Sequence, residues 1–234
     1  MSDKNVTASA VETNEVFEKA KGFWAKFSKP IIYVSAAVIL LGGGWLAYKN
    51  FVLLPKEEKS AEAIFPVEQI FDKMTQTGFT ADSINLVLNG GNGITGVLKI
   101  ADKFSGTAAA NRCHFIAGAC YLRNKEYDKA VKQLKEFSTD ATQVQTSAYI
   151  MLGDAYAELK KNDDALNYYS KAASHNTKDE YQTSEALYKA GGFAEYIGKT
   201  KDAIEFYQKL KDNYPKSSHA NDMDKYLARL GVTQ

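Results

Sequence analysis

The chain is 234 residues long, 45% apolar and 24% charged, with a formal net charge of +1. That composition belongs to a folded protein rather than a disordered one. Near-neutrality also argues against a dedicated nucleic-acid binder, which needs a basic stripe to neutralise phosphates.

In chain order, residues 1–13 read as a disordered tail. Between Asn14 and Ser28, Phe17, Ala20, Phe23, Trp24 and Phe27 recur at helical spacing with Lys19, Lys21 and Lys26 between them. The pattern suits either a short helix lying on an anionic membrane surface or a plain basic flank that sets topology. Residues 1–30 together form the expected cytoplasmic tail. From Ile31 to Tyr48 there is no charge, and after Lys49 and Asn50 the apolar run resumes to Leu54, where Pro55 ends it. A spanning helix needs about 20 mostly apolar residues, so residues 31–54 predict a transmembrane anchor. A cleaved signal would have an apolar core of about 7–15 residues and a small-residue cleavage site; neither fits. Lys19, Lys21, Lys26 and Lys29 precede the span, against Lys56 and Lys59 after it and Lys49 at its edge, which puts the N-terminus in the cytoplasm.

Beyond the span the patterning is helical, without a convincing strand pair. Residues 55–107 predict a linker and a degenerate first repeat: one helix within Lys59–Met74, a short one over Phe79–Leu88 and a last one within Ile94–Phe104. Asn89-Gly90-Gly91-Asn92-Gly93 lacks both a preceding strand and a following Lys-Ser/Thr, so it reads as a helix break rather than a phosphate loop. Cys113 and Cys120 lie seven residues apart. On a helix that is ~10 Å along the axis, too far for a disulfide, so both read as small core residues.

Gly118, Gly153 and Gly191 are spaced by 35 and 38 residues, as are Ala130, Ala165 and Ala203. Two landmarks in register over three copies predict stacked helical hairpins over residues 108–141, 142–178 and 179–215. The glycines mark close helix approach, the alanines mark where the second helix crosses the first, and Tyr121 and Tyr156 fill space between hairpins. The three extra residues are expected in the loop around Asn176–Tyr181. Residues 216–234 predict a capping helix, with Ser218 as N-cap and Gly231 just past its end.

Tyr149, Leu152-Gly153 and Tyr156, followed by Ala165 and Tyr169, resemble the W-x2-L-G-x2-Y…A-x3-F pattern of a tetratricopeptide repeat (TPR). The resemblance implies an all-α TPR hairpin solenoid, preceded here by the single N-terminal transmembrane helix. It also implies a non-enzymatic protein–protein interaction module. The layout of tail, anchor and repeat domain further resembles the YfgM-like ancillary subunits of the bacterial SecYEG translocon. The tract from Asn89 to Cys120 is similar to versions in membrane-anchored Bacteroidota proteins. These likenesses imply an inner-membrane protein with a periplasmic repeat domain, chaperone-like or translocon-associated, that meets exported or envelope proteins beside SecYEG. A static scaffold in an envelope complex is the alternative, and self-association through an exposed hairpin face a third.

In the family the first helix of each hairpin lines a concave groove. By register, the resemblance assigns to it Arg112, Phe115, Ala119, Leu122 and Arg123, then Ser147, Ile150, Asp154, Ala157 and Glu158. Glu185, Tyr188, Gly192, Glu195 and Tyr196 complete it. The groove would be basic with apolar patches at its start and acidic-aromatic toward its end. Phe115, Ile150 and Tyr188 could equally belong to the hairpin core. A clamp for C-terminal carboxylates would need Lys or Arg with Asn where Phe115, Ala119, Ile150 and Asp154 stand. His114, His175 and His219 show no metal-ligand spacing, and no catalytic set, metal or cofactor is expected.

Overall fold

The computed structural model describes residues 4–232, with side chains from residue 17 onward. The chain divides after Pro55 into two units. The first is a helix, α1 (Lys4–Tyr48), followed by a π-helical turn over Lys49–Leu53. The side chains of the tail expected to be disordered, residues 1–13, lie outside the described ones; its backbone is helical from Lys4. This N-terminal helix is long and apolar enough to cross a membrane. Leu40 and Leu41 are three-quarters exposed, a state that water penalises and lipid does not. Pro55 ends the apolar run but not the helix. Proline has no N–H to donate to the carbonyl four residues back and its ring crowds that carbonyl. The backbone widens just before it, so that the Leu54 N–H donates to the carbonyl of Lys49, five residues away.

Helix α2 (Leu54–Thr77) lies in the second unit from Lys56 onward and is followed there by α3 (Ala81–Asn89) and α4 (Val97–Lys103). Thr80 and Ser83 cap α3 reciprocally, and the Glu57 carboxylate accepts from the Ala108 N–H at the start of the next helix. A strand pair was not expected here, yet Gly90–Gly91 and Ile94–Thr95 pair antiparallel. Each strand is two residues long, too short for a period-two pattern to register in the sequence. The glycine-rich tract makes the turn: Gly90, Gly91, Asn92 and Gly93 all have positive φ. A Cβ on Gly96 would sit 2.4 Å from the Leu88 carbonyl oxygen, so only glycine lets the two helix ends cross.

Three hairpins follow: α5 (Ala108–Arg123) with α6 (Tyr127–Glu136), α7 (Thr142–Glu158) with α8 (Asn162–His175), and α9 (Glu180–Tyr196) with α10 (Thr200–Asn213). Their tips are built identically. In each, one residue has a left-handed backbone (Lys125, Lys160 and Gly198), with φ of 62°, 59° and 77°. The N–H after it donates to the carbonyl five residues back, from Glu126 to Tyr121, Lys161 to Tyr156 and Lys199 to Ala194. Left-handed φ crowds a Cβ, and glycine escapes that strain. Lys160→Gly is therefore expected to raise stability by about 0.5–1 kcal/mol, read as a higher urea midpoint at unchanged slope. An unchanged or lower midpoint would count against strain at this tip.

Inside each hairpin the glycines are holes for a side chain of the second helix. A Cβ on Gly118 would lie 2.5 Å from Leu134, one on Gly153 2.6 Å from the Tyr169 ring and one on Gly191 2.5 Å from the Tyr207 ring. Ala130, Ala165 and Ala203 are fully buried one helical turn earlier, where the two helices cross. Tyr121 and Tyr156 are buried. Tyr156 stacks on Tyr168 at 5.4 Å, and Lys135 of the preceding hairpin lies over it. The three extra residues are not in the loop. Helix α8 runs ten residues past Ala165, to His175, where α6 runs six past Ala130, to Glu136, and the loop that follows is one residue shorter. The insertion is helical because Ala172 and Ala173 bury against the next hairpin.

The cap also differs from expectation. A 3₁₀ turn over Ala220–Asp222 precedes α11 (Met223–Arg229), and Ser218 caps neither. Gly231 does follow the helix end with positive φ, and Met223 and Leu227 bury against α10.

Cys113 and Cys120 are fully buried and unbridged. Burial pushes each thiol up to about 12, from an ordinary value near 8.5. The unfolded chain ionises first as pH rises, so these groups contribute stability that is fully present below pH ~8.5 and lost progressively up to about 12. Both thiols should resist Ellman's reagent at pH 8 until denaturant is added. Replacing both with alanine should flatten the fall of melting temperature between pH 9 and 11; an equally steep fall would refute the assignment.

Candidate protein-binding groove

The first helices of the hairpins share one face of the second unit, and along it runs a groove of about 850 Å³. Phe115, Ala119, Leu122 and Arg123 of α5 line it, with Ser147, Met151, Asp154, Ala157 and Glu158 of α7. Phe71 and Thr75 of α2 and the connecting Phe79 close one end. Phe71 and Phe79 pack edge to face at 5.9 Å, and the Arg123 guanidinium lies over Phe79 at 5.3 Å. Phe115 is half-buried: it packs on Phe137 at 5.1 Å and still faces the groove. It serves both core and lining, because hairpin core and concave face share the same helices.

A second depression of about 620 Å³ continues the face over α9, α10 and the cap. Tyr188, Gly192, Glu195, Tyr196, Tyr207 and Tyr226 are among its lining. Tyr169 and Lys189 border both hollows. Three residues assigned to the groove by register lie in neither. Arg112 pairs with Glu68 of α2 at 2.6 Å, Ile150 packs into the core between the second and third hairpins, and Glu185 bonds His219 at 2.8 Å.

Several of the charges behind the expected basic start and acidic end are answered within the domain, Arg112, Asp154, Glu185 and Glu195 among them, while Arg123 and Glu158 still line the groove. The Tyr169 hydroxyl donates to Asp154 at 2.7 Å, and the Lys189 ammonium of the next hairpin donates to the same carboxylate at 3.0 Å. The arrangement repeats one hairpin on: Tyr207 donates to Glu195 at 3.1 Å, and Arg229 of the cap donates to it at 2.7 Å. In each case a buried tyrosine of the second helix and a cation from the following element hold one carboxylate. Burial, and then the adjacent carboxylate, push both phenols well above their ordinary range. The repeating node gives two of the fourteen tyrosines a structural reason: ring in the glycine hole, hydroxyl at the groove wall. The first hairpin has Leu134 at that position and cannot form it.

Met151, Tyr169, Lys189, Phe71 and Phe79 escaped the sequence reading. Met151 is one residue from the assigned Ile150, a shift that moves the side chain about 100° around α7. Tyr169 lies on a second helix, outside a rule confined to first helices. Phe71 and Phe79 lie in the degenerate first repeat, where no landmark fixes register.

Residues 150–218 match the tetratricopeptide repeat family, and the fold is an all-α TPR hairpin solenoid with a candidate membrane-spanning helix before it. The chain is 34% identical over 97 residues to a TPR repeat-containing protein of Methanocaldococcus jannaschii, covering 39% of this chain and 29% of that protein. The chain thus spans under a third of that relative's length. No solved structure matches it.

Proposed function

We propose that this is a non-enzymatic, membrane-anchored adaptor whose groove holds exported or envelope proteins at the bacterial inner membrane, beside the SecYEG translocon. In this reading residues 31–54 are the anchor, the N-terminus is cytoplasmic and the repeat domain is periplasmic. The supporting observation is the groove of about 850 Å³ walled by Phe71, Phe79, Phe115, Leu122 and Met151. An aliphatic and aromatic floor with adaptable methionine suits the apolar stripe of an amphipathic helix or a partly folded chain. Repeat proteins of this fold generally mediate protein–protein binding, and no surface charge excess points elsewhere.

Photocrosslinking from a reactive residue at Leu122, in the native membrane, tests the proposal. Many short-lived exported partners are the expected result. One stoichiometric folded partner would instead identify a fixed scaffold of an envelope complex, and only self-adducts would identify a homo-oligomer.

A further inference from the structure

Ahead of its apolar run, α1 carries large rings that stand in the open. Phe17, Phe23 and Trp24 are more than half exposed, and Phe27 more than a third. At about 100° per residue, these rings and Ala20 fall within roughly a third of the helix circumference. Ile31, the first residue of the span, continues the same stripe. By the same register Lys19 and Lys26 stand along one edge of it and Lys21 along the other. The Lys21 ammonium lies over the Phe17 ring at 4.6 Å, and that of Lys26 over the Phe27 ring at 5.5 Å. Cations thus sit beside the rings rather than away from them.

Neither water nor hydrocarbon suits this surface. Water penalises bare rings, and the bilayer core rejects lysine ammoniums. The headgroup layer takes both, with rings at the acyl boundary and lysines extended to phosphate. If α1 continued along the bilayer normal, Phe17 would stand about 21 Å beyond Ile31. The headgroup layer is only about 5–8 Å deep, so the rings reach it only if the segment turns along the surface. Pro30, inside α1, is where it can turn. It offers no N–H to the Lys26 carbonyl and disfavours helical backbone at Lys29. Interfacial water satisfies the carbonyls that a bend there uncovers.

Charge selects the lipid. Residues 17–30 carry Lys19, Lys21, Lys26 and Lys29 against one carboxylate, Glu18. Glu18 lies 3.1 Å from Lys21 with both side chains exposed, a surface pair of small worth that a lipid phosphate can replace. An anionic leaflet attracts each such lysine, whereas a zwitterionic one supplies no net field.

We propose that residues 17–29 form a lipid-reading arm. Bent at Pro30, they lie along the leaflet on their own side of the span, with rings at the acyl boundary and Lys21 and Lys26 on the phosphates of anionic phospholipid. The inference rests on residues 31–54 being the anchor, and it gives that attachment a lipid preference.

The test is tryptophan fluorescence of the full chain in lipid nanodiscs, one copy per disc. Trp24 and Trp45 are the two tryptophans. Trp45→Phe leaves Trp24 as reporter; adding Trp24→Phe and Phe17→Trp moves the reporter to the far end of the segment. In discs of equal parts phosphatidylcholine and phosphatidylglycerol, both reporters should emit in the blue and be quenched by lipid nitroxide near the headgroup. They should also resist acrylamide several-fold better than in phosphatidylcholine alone. Lys21→Gln with Lys26→Gln should lower the ratio of docked to detached segment by roughly tenfold or more. A reporter at position 17 open to acrylamide in both lipids would mean that α1 leaves the bilayer straight, and it overturns the proposal. Equal shielding in both lipids overturns the preference for anionic headgroups and the proposal with it. So does shielding seen only when two copies share a disc, which would identify a paired helix. Trp24→Phe, with Trp45 as sole reporter, separates the arm from the anchor. If nitroxide deep in the bilayer quenches Trp45, a negative result strikes the arm alone; if it does not, the anchor reading falls as well.

Discussion

Replacing Gly191 by alanine is expected to destabilise the repeat domain by about 1–3 kcal/mol, and the same replacement at Gly192 to stabilise it by about 0.5–1 kcal/mol. The two glycines are adjacent on one helix with equal intrinsic propensity. They differ in what faces the missing methyl group. At Gly191 the new Cβ would lie 2.5 Å from a ring carbon of Tyr207, and that ring is only 1% exposed. It cannot swing aside without pulling its hydroxyl from Glu195, so the helix-propensity gain is outweighed by overpacking. At Gly192 the nearest atom is 3.7 Å away, and only the propensity gain remains. Urea unfolding followed by circular dichroism checks both signs. Two alanines that shift the midpoint in the same direction would show that Tyr207 does not occupy the Gly191 hole.

The second large effect is expected at Tyr169. Truncation to alanine should remove about 3–5 kcal/mol. It empties the space against Gly153 and separates the ring from Phe193, 5.6 Å away on the next hairpin. Tyr169→Phe keeps the ring and loses only the bond to Asp154, for about 1–2 kcal/mol, since Lys189 still holds that carboxylate. The ring joins the second hairpin to the third. The alanine variant should therefore loosen the α8–α9 junction, seen as faster amide exchange in α9 and α10 than in α5. Equal losses from alanine and phenylalanine would place the effect in the hydroxyl, and the packing account would fail.

The solenoid could be read from sequence because its repeating contacts impose repeating residues. Gly118, Gly153 and Gly191 recur because a Leu134, Tyr169 or Tyr207 side chain fills each hole, and the small buried alanines recur for the same crossing. Where a contact does not repeat, the sequence was silent. The glycine-rich turn before α4 occurs once in the chain, and its two-residue strands leave no periodic trace. The extra turn of α8 appeared as a spacing of 38 in place of 35 residues, which a loop or a helix can satisfy equally well. Only the burial of Ala172 and Ala173 distinguishes them. The groove was legible in its floor but not in its charge, because Asp154 and Glu195 read as free acids until Lys189 and Arg229 are found across the hairpin boundaries.

Those crossed pairs have a consequence for how a guest is held. Dissolved ions weaken an association only where opposite charges face each other across the contact. Here Asp154 and Glu195 are spent on bracing the wall, while Arg123, Lys125 and Glu158 of the larger groove are left to meet a guest. Half-molar sodium chloride should therefore loosen a guest that answers those three side chains, and leave nearly unchanged one held only over α9, α10 and the cap, where Lys189, Glu195 and Arg229 are already paired.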